Sequence, residues 1–144
     1  MHDLETFPTH LKSITPTEWS KLFELNDRIL NSKSFGEMAG GEKIEENVST
    51  FPYWKWSDIT TEFNKTVHDM KLIVSFDWPD WEEGIQLLRD HKQAFQDLDE
   101  ITLCKLMTVI VRADRFSDGT LVGALEDGTI SKILSALKAR IDHK

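Results

Sequence analysis

The chain has 144 residues, and its 17 Lys and Arg against 25 Asp and Glu give a formal net charge of −8. That length suits one domain whose core needs no disulfides, and the 40% apolar and 29% charged fractions disfavour the disordered, collagen-like and membrane classes. The acidic charge is spread evenly over both halves, so we expect no nucleic-acid partner. No apolar run is long enough to enter a membrane, and a single cysteine, Cys104, is typical of a cytoplasmic protein.

The first predicted element is a capped helix. Residues 1–14 are polar and predict a loose lead-in, followed by a single globular domain over residues 15–144. Thr15 and Glu18 have the spacing of a capping box. An apolar stripe with a period of about 3.6 residues follows the box and predicts a helix over residues 16–31.

Glycines and a proline break the helical period between residues 32 and 57. The pair Gly40-Gly41 within this segment is typical of a tight turn in a small β hairpin. A second amphipathic helix is predicted over about 57–71. The short β-branched run 72–76 then predicts a strand.

Four more helices are predicted in the second half of the chain. Proline and acids begin a short one at about 79–90, and an apolar stripe preceded by acids predicts the next at 101–111. The last two cover about 117–125 and 130–141, with Gly128 between them at a position that suits a left-handed C-cap. The predicted fold is therefore mainly α, a single compact domain of five to six helices with a small β hairpin or sheet.

The aromatic side chains are concentrated in one part of the chain. Eight of the 14 lie within the 31 residues from Phe51 to Trp81, and four of the five tryptophans fall in two connecting segments. One interpretation is a ligand cleft in which indoles stack on a planar or sugar ring and a carboxylate holds its polar edge. Bulky core filler is the favoured interpretation, because large aromatics are mostly buried; a homodimer seam is a third. The candidate ligand-binding residues here are Tyr53, Trp54, Trp56, Asp77, Trp78 and Trp81.

Two arginines form the second candidate group. Arg112 and Arg115 are three residues apart at a predicted helix end, so their guanidinium groups lie near one face and could grip a carboxylate or phosphate. They could instead bond the last carbonyls of the helix or pair with Asp114 or Asp118. The excess of acids in this chain favours that structural role.

No pattern supports a metal site, a cofactor or a catalytic motif. The five histidines have no zinc-ligand spacing. A calcium loop beginning at Asp114 would place Phe116 and Leu125 where oxygen ligands are required. His68 beside Asp69 could act as a base, but such a pair is more often a surface pair. We expect no metal and no cofactor.

The run Arg-Ala-Asp-Arg-Phe at 112–116, followed by Gly119, resembles an uncharacterised bacterial domain of unknown function. A Phe-Pro-Tyr segment at 51–53 and a Trp-rich segment at 76–81 match the same family, and the resemblance covers about 34–137. It implies a small bacterial cytoplasmic protein and carries over no catalytic residue.

The leading hypothesis is a noncatalytic binding or interaction module, with an aromatic and arginine pocket for a small anionic ligand or a protein partner. The alternative is a small enzyme acting on an anionic metabolite or nucleotide derivative, with Asp77 or Asp80 as general base and arginine anchors. The geometric question is whether Arg112 and Arg115 lie beside the segment 78–81, where stacking and two cations would form the pocket.

Overall fold

The computed structural model describes residues 2–40, 43–45, 48–49, 52–90 and 95–142, which form helices and two short strand pairs. The helices in this part of the chain are α1 (Phe7–Ser13), α2 (Pro16–Leu30), α3 (Asp58–Asp69), α4 (Glu82–Arg89), α5 (Glu100–Ala113), α6 (Thr120–Glu126) and α7 (Thr129–Asp142). The strands are β1 (Gly36–Ala39), β2 (Lys43–Glu45), β3 (Val48–Ser49) and β4 (Tyr53–Trp56). The predicted class, one mainly α domain with a small sheet, is confirmed.

Local signals in the sequence fix where several helices begin and end. At the start of α2, the Thr15 hydroxyl accepts the Glu18 N–H at 3.2 Å, and the Glu18 carboxylate accepts the Thr15 N–H at 3.3 Å. Asp99 caps α5 by accepting the Thr102 N–H at 2.7 Å. Gly128 separates α6 from α7 with a left-handed φ of 85°, as its position in the sequence predicted.

The central element of the core is α5. Every residue from Leu106 to Val111 is buried, so this helix is covered on most of its circumference. Helices α4, α6 and α7 pack against it, and α2 packs on α7 and α3. Because α5 is fixed on so many sides, its C-terminal end is a rigid place from which to present side chains.

The N-terminal segment differs from its prediction. Residues 7–13, expected to be part of a loose lead-in, form α1. The prediction was wrong for these residues because Phe7 and Leu11 are buried in the core. A further tie holds α1 to the body of the domain, since the His10 ring donates to the Met70 carbonyl at 2.8 Å. A seven-residue helix held by such contacts has too short a periodic pattern to stand out in the sequence.

The strand predicted at 72–76 is also absent from the structure. Residues 72–74 are buried but belong to no strand, and only an isolated parallel bridge joins Asp3 to Ser75. A side chain satisfies a backbone group that a neighbouring strand would otherwise satisfy, because the Val74 N–H donates to the Thr108 hydroxyl at 3.1 Å. The β-branched run is therefore buried by α5 and not by a sheet.

The strand pairing differs from a simple hairpin. β1 pairs antiparallel with β4, placing Gly36 opposite Trp56, while β2 pairs with β3. The predicted Gly40-Gly41 turn therefore joins two strands that are not partners; Gly40 has a φ of 78°, and Gly41 lies outside the described residues. In β4 the tryptophan side chains pack against the core and alternate with exposed residues, which points Trp54 and Trp56 towards the helices.

Two stacked histidines connect the start of the chain to α1. The rings of His2 and His10 lie 4.4 Å apart between centroids. Desolvation, followed by repulsion from His10 and Lys71, lowers the pKa of His2 from its usual 6.5, while Asp3 acts in the opposite direction. The folded state therefore favours the neutral ring, and the unfolded chain takes up the proton first as the pH falls through 6.5.

We expect the attachment of α1 to be pH-dependent. It is strongest above about pH 6.5 and weakens as the pH falls below that value, because protonation favours the open state. Hydrogen exchange of the α1 amides, corrected for intrinsic rates, should show a loss of protection between about pH 7.5 and pH 5.5. His2→Phe keeps an aromatic ring but cannot titrate, and it should reduce the loss. An equal loss in both proteins would contradict this account.

Candidate functional site

The C-terminal end of α5 carries two arginines side by side. Arg112 lies in the last turn of the helix, and the Arg115 N–H donates to the Arg112 carbonyl at 3.2 Å in the turn that follows. Both arginines line a cleft of about 370 Å³ and also a second cleft of about 270 Å³. The structure thus brings the arginines together with Trp56 in one cleft and with Trp78 in the other.

The larger cleft, which we call the Trp56 cleft, lies between β4, α3 and the end of α5. Its charged side chains include the pair Lys65 and Asp69, whose Nζ and Oδ2 atoms are 3.0 Å apart. The His68 Nδ1 atom donates to the Asn64 carbonyl at 2.7 Å, which leaves Nε2 as the acceptor of the neutral ring. Basic groups outnumber acidic ones among its lining residues, which are Trp56, Asn64, Lys65, His68, Asp69, Val111, Arg112, Asp114 and Arg115.

The smaller cleft, which we call the Trp78 cleft, is more aromatic. The rings of Trp78 and Phe116 lie 6.2 Å apart between centroids and are tilted by 39°. Phe116 is 83% exposed, which is unusual for a large apolar ring. Among the described residues, no acidic one lines this cleft, which is formed by Val74, Ser75, Phe76, Trp78, Arg112, Arg115 and Phe116.

The acids expected to pair with the arginines hold backbone groups. Asp114 Oδ1 accepts the Leu121 N–H at 3.0 Å, near the start of α6. Asp118 Oδ2 accepts the Trp54 N–H at 2.8 Å and so ties β4 to the same turn. Within the described ranges, no hydrogen bond or ion pair engages the Arg115 guanidinium. The two acids of this turn therefore leave the charge of Arg115 unpaired within the described residues.

Two residues of β4 that were candidates for the site lie outside both clefts. The Trp54 indole lies against Gly119, where a Cβ atom would be 2.3 Å from its Nε1. Gly119 can be this close because it has no side chain and adopts a φ of 96°. Tyr53 points away from the core and is 50% exposed. Trp54 thus serves packing, as the core-filler interpretation has it.

Trp81 does not line the Trp78 cleft, but its ring contacts Phe76, which does. Its ring meets Phe76 edge to face, with centroids 5.6 Å apart. Lys105 Nζ lies 4.2 Å from the ring centroid, and the indole also contacts Gly84. Since Phe76 is one wall of the Trp78 cleft, Trp81 holds that wall in position.

Asp77 precedes a short 3₁₀ turn, Trp78–Asp80, and Asp80 is its last residue. A hydrogen bond with Asp80, and then the charge of Asp80, raises the pKa of Asp77. Neither carboxylate lines the Trp56 cleft or the Trp78 cleft, although Asp77 stands in the chain between Phe76 and Trp78, which both line the Trp78 cleft. Cys104 is fully buried, and that burial raises the pKa of its thiol, which disfavours a nucleophilic role.

Several lining residues were not among the candidate ligand-binding residues that the sequence suggested, and three of these matter most for the clefts. Lys65 and His68 reach the Trp56 cleft from α3, and Phe116 reaches the Trp78 cleft from the turn after α5. Their spacing carried a partial signal, because Lys65 and His68 are three residues apart on one helix face. Among the residues that the structure describes, no three His, Cys, Asp or Glu side chains gather to hold a metal ion.

Together these features define a mainly helical domain with two open clefts joined by an arginine pair. The chain belongs to a family of unknown function, DUF6508, whose model matches residues 14–143. This confirms the resemblance to a domain-of-unknown-function family. Comparisons with curated proteins and with solved structures found no match. Throughout the described ranges, no helix has both the length and the apolar character needed to cross a membrane.

Proposed function

We propose that this protein is a noncatalytic binding module for an anionic ligand that carries a planar ring, with the anion held at Arg112 and Arg115. The observation that carries the proposal is that the same two arginines line both clefts, each beside an indole. The proposal includes a cytoplasmic location, with no nucleic-acid partner, no membrane partner and no cofactor. The even acidic charge of the chain and the single buried Cys104 support it.

Electrostatics favour an anion at this position. Guanidinium groups bind carboxylates and phosphates through two parallel hydrogen bonds, which gives both strength and orientation. Lys65 adds a third cation to the Trp56 cleft, although it is paired with Asp69. In a chain with a net charge of −8, a local excess of positive charge concentrates anions at one place. An indole beside the anion can stack on the flat part of the same ligand.

The enzyme alternative is supported through a residue other than the aspartates. His68 lines the Trp56 cleft together with the arginines, whereas Asp77 and Asp80 do not. A neutral imidazole with an accepting Nε2 atom is the group most suited to general-base work near neutral pH. Turnover of a bound nucleotide that is lost in His68→Gln, with binding retained, would favour an enzyme over a binding module.

The binding proposal is tested by calorimetric titration with ADP, which combines a planar base with a pyrophosphate. We expect saturable binding that Arg115→Ala weakens by about tenfold or more, because hydrogen bonds to charged groups are strong. Arg89→Ala is the matched control, since it removes the same charge from the end of α4, away from the clefts. It should leave the affinity unchanged.

Two results would overturn the proposal. One is that neither ADP nor inorganic pyrophosphate binds the wild-type protein. The other is that Arg89→Ala weakens binding as much as Arg115→Ala, which would indicate a general charge effect. A protein partner or a homodimer that buries Phe116 would instead appear in sedimentation as a larger mass that does not depend on ADP.

A further inference from the structure

We infer that the ligand is a pyrophosphate-linked dinucleoside, with its anionic centre at Arg112 and Arg115, one base in the Trp56 cleft and the other in the Trp78 cleft. This inference rests on the proposed function and names the ligand class for the same site. It follows from the arrangement of the two clefts, their sizes and the chemistry of their walls.

The two clefts share their arginines, and each has an indole of its own. Arg112 and Arg115 are lining residues of both clefts, so an anion bound to them is adjacent to both spaces. Trp56 lines one of these clefts and Trp78 lines the other. A ligand with one ring fills one cleft and leaves the second aromatic wall without a partner. A ligand built as ring, anion and ring matches the whole surface.

The sizes agree with this arrangement. The two clefts have volumes of about 370 and 270 Å³. Sites that bury most of a drug-sized ligand span roughly 300–1,000 Å³. Each cleft by itself therefore suits a fragment the size of a nucleoside, whereas a ligand that extends through both uses a volume well within that range.

The walls differ in a way that suits two bases. In the Trp56 cleft, Asn64 and His68 offer polar groups beside the indole, which can bond the edge of a base or a ribose. In the Trp78 cleft the contacts are aromatic. The Phe116 ring is 83% exposed there, so a bound base can cover it. Aromatic side chains stack on the face of any base, since every base has a π face.

The charges match as well. A pyrophosphate esterified at both ends carries two negative charges, one on each phosphate, and the site offers two guanidinium groups three residues apart. A terminal phosphate, as in ADP, would add a further negative charge and no second ring. The doubly esterified pyrophosphate therefore brings less negative charge to the arginines than ADP does, and both of its ends remain apolar enough to stack.

The test compares diadenosine pyrophosphate with ADP, which has the same pyrophosphate and one adenosine fewer. We expect the wild-type protein to bind diadenosine pyrophosphate at least about tenfold more tightly than ADP, with one molecule per chain, because the second base adds a stacking contact. This comparison needs no variant, so it does not depend on whether a substitution folds. A ratio near one would overturn the inference.

Variants then assign the bases to the clefts. Trp56→Leu and Trp78→Leu should each reduce the affinity for diadenosine pyrophosphate by about tenfold, and only one of them should affect ADP to the same extent. Tyr53→Leu is the matched control, because Tyr53 is an exposed aromatic of the same strand as Trp56 but lies outside both clefts. If both tryptophan variants leave the ratio of the two affinities unchanged, the second cleft holds no base and the inference fails.

The outcomes separate this inference from the proposed function. If ADP binds in an Arg115-dependent way but the second adenosine adds nothing, the binding module stands and the dinucleoside class falls. If neither nucleotide binds, both fall. If a short oligoadenylate binds more tightly than diadenosine pyrophosphate, the site recognises single-stranded nucleic acid, and the inference is overturned by a macromolecular ligand.

Discussion

Gly119→Ala should destabilise the protein by about 3 kcal/mol, as measured by urea unfolding. The residue has a φ of 96°, a conformation that costs an L-residue about 1–2 kcal/mol. The new Cβ atom would also lie 2.3 Å from the Trp54 Nε1 atom, and such overpacking typically costs about 1–3 kcal/mol. The contact joins β4 to the turn that carries Arg115 and Phe116, so the same change should weaken ADP binding.

Gly128→Ala provides the matched control for that prediction. Gly128 has a φ of 85°, close to that of Gly119, but nothing lies within 4 Å of the position its Cβ would take. It therefore meets only the backbone strain, and we expect a loss of about 1 kcal/mol with ADP binding unchanged. Equal losses for the two substitutions would show that Trp54 does not pack on Gly119.

Gly84→Ala should destabilise the protein by about 2 kcal/mol through Trp81. Alanine normally stabilises a helix relative to glycine, by about 1 kcal/mol. Here the Cβ atom would lie 2.1–2.4 Å from three atoms of the Trp81 ring, so the indole must move. Because Trp81 holds Phe76, the movement should also loosen the Trp78 cleft and weaken the binding of diadenosine pyrophosphate more than that of ADP.

The control for this second substitution is Gly123→Ala in α6. Gly123 is also a helix residue, and the position that its Cβ would take has no other atom within 4 Å. It should show the ordinary stabilisation of up to about 1 kcal/mol in the same unfolding experiment. A stabilising Gly84→Ala would contradict the placement of the Trp81 ring.

Helix boundaries were predictable because the signals that set them are local. The capping box of Thr15 and Glu18 and the left-handed Gly128 involve residues that are neighbours in the sequence. The run 72–76 was misassigned because short apolar residues of this kind are buried equally well in a strand or in an irregular segment of the core. What distinguishes the two is the Thr108 hydroxyl, which is 34 residues away from Val74 along the chain.

The candidate site was predicted in part. Arg112, Arg115, Trp56 and Trp78 were all selected from composition and spacing, and the structure places them around the same two clefts. The sequence could not separate them from Trp54 and Trp81, because cavity walls and core packing draw on the same large aromatic residues. Trp54 packs on Gly119, which is distant in the sequence, so that contact is visible only in the folded chain.

The most direct test of the central claim is an NMR titration of the arginine side chains with ADP. The chain has five arginines, so the Nε–H resonances of Arg28, Arg89 and Arg140 serve as internal references for Arg112 and Arg115. The account predicts that the resonances of Arg112 and Arg115 shift together and saturate with a single affinity, while the other three stay in place. Shifts of equal size at all five, or no shift at Arg115, would contradict it.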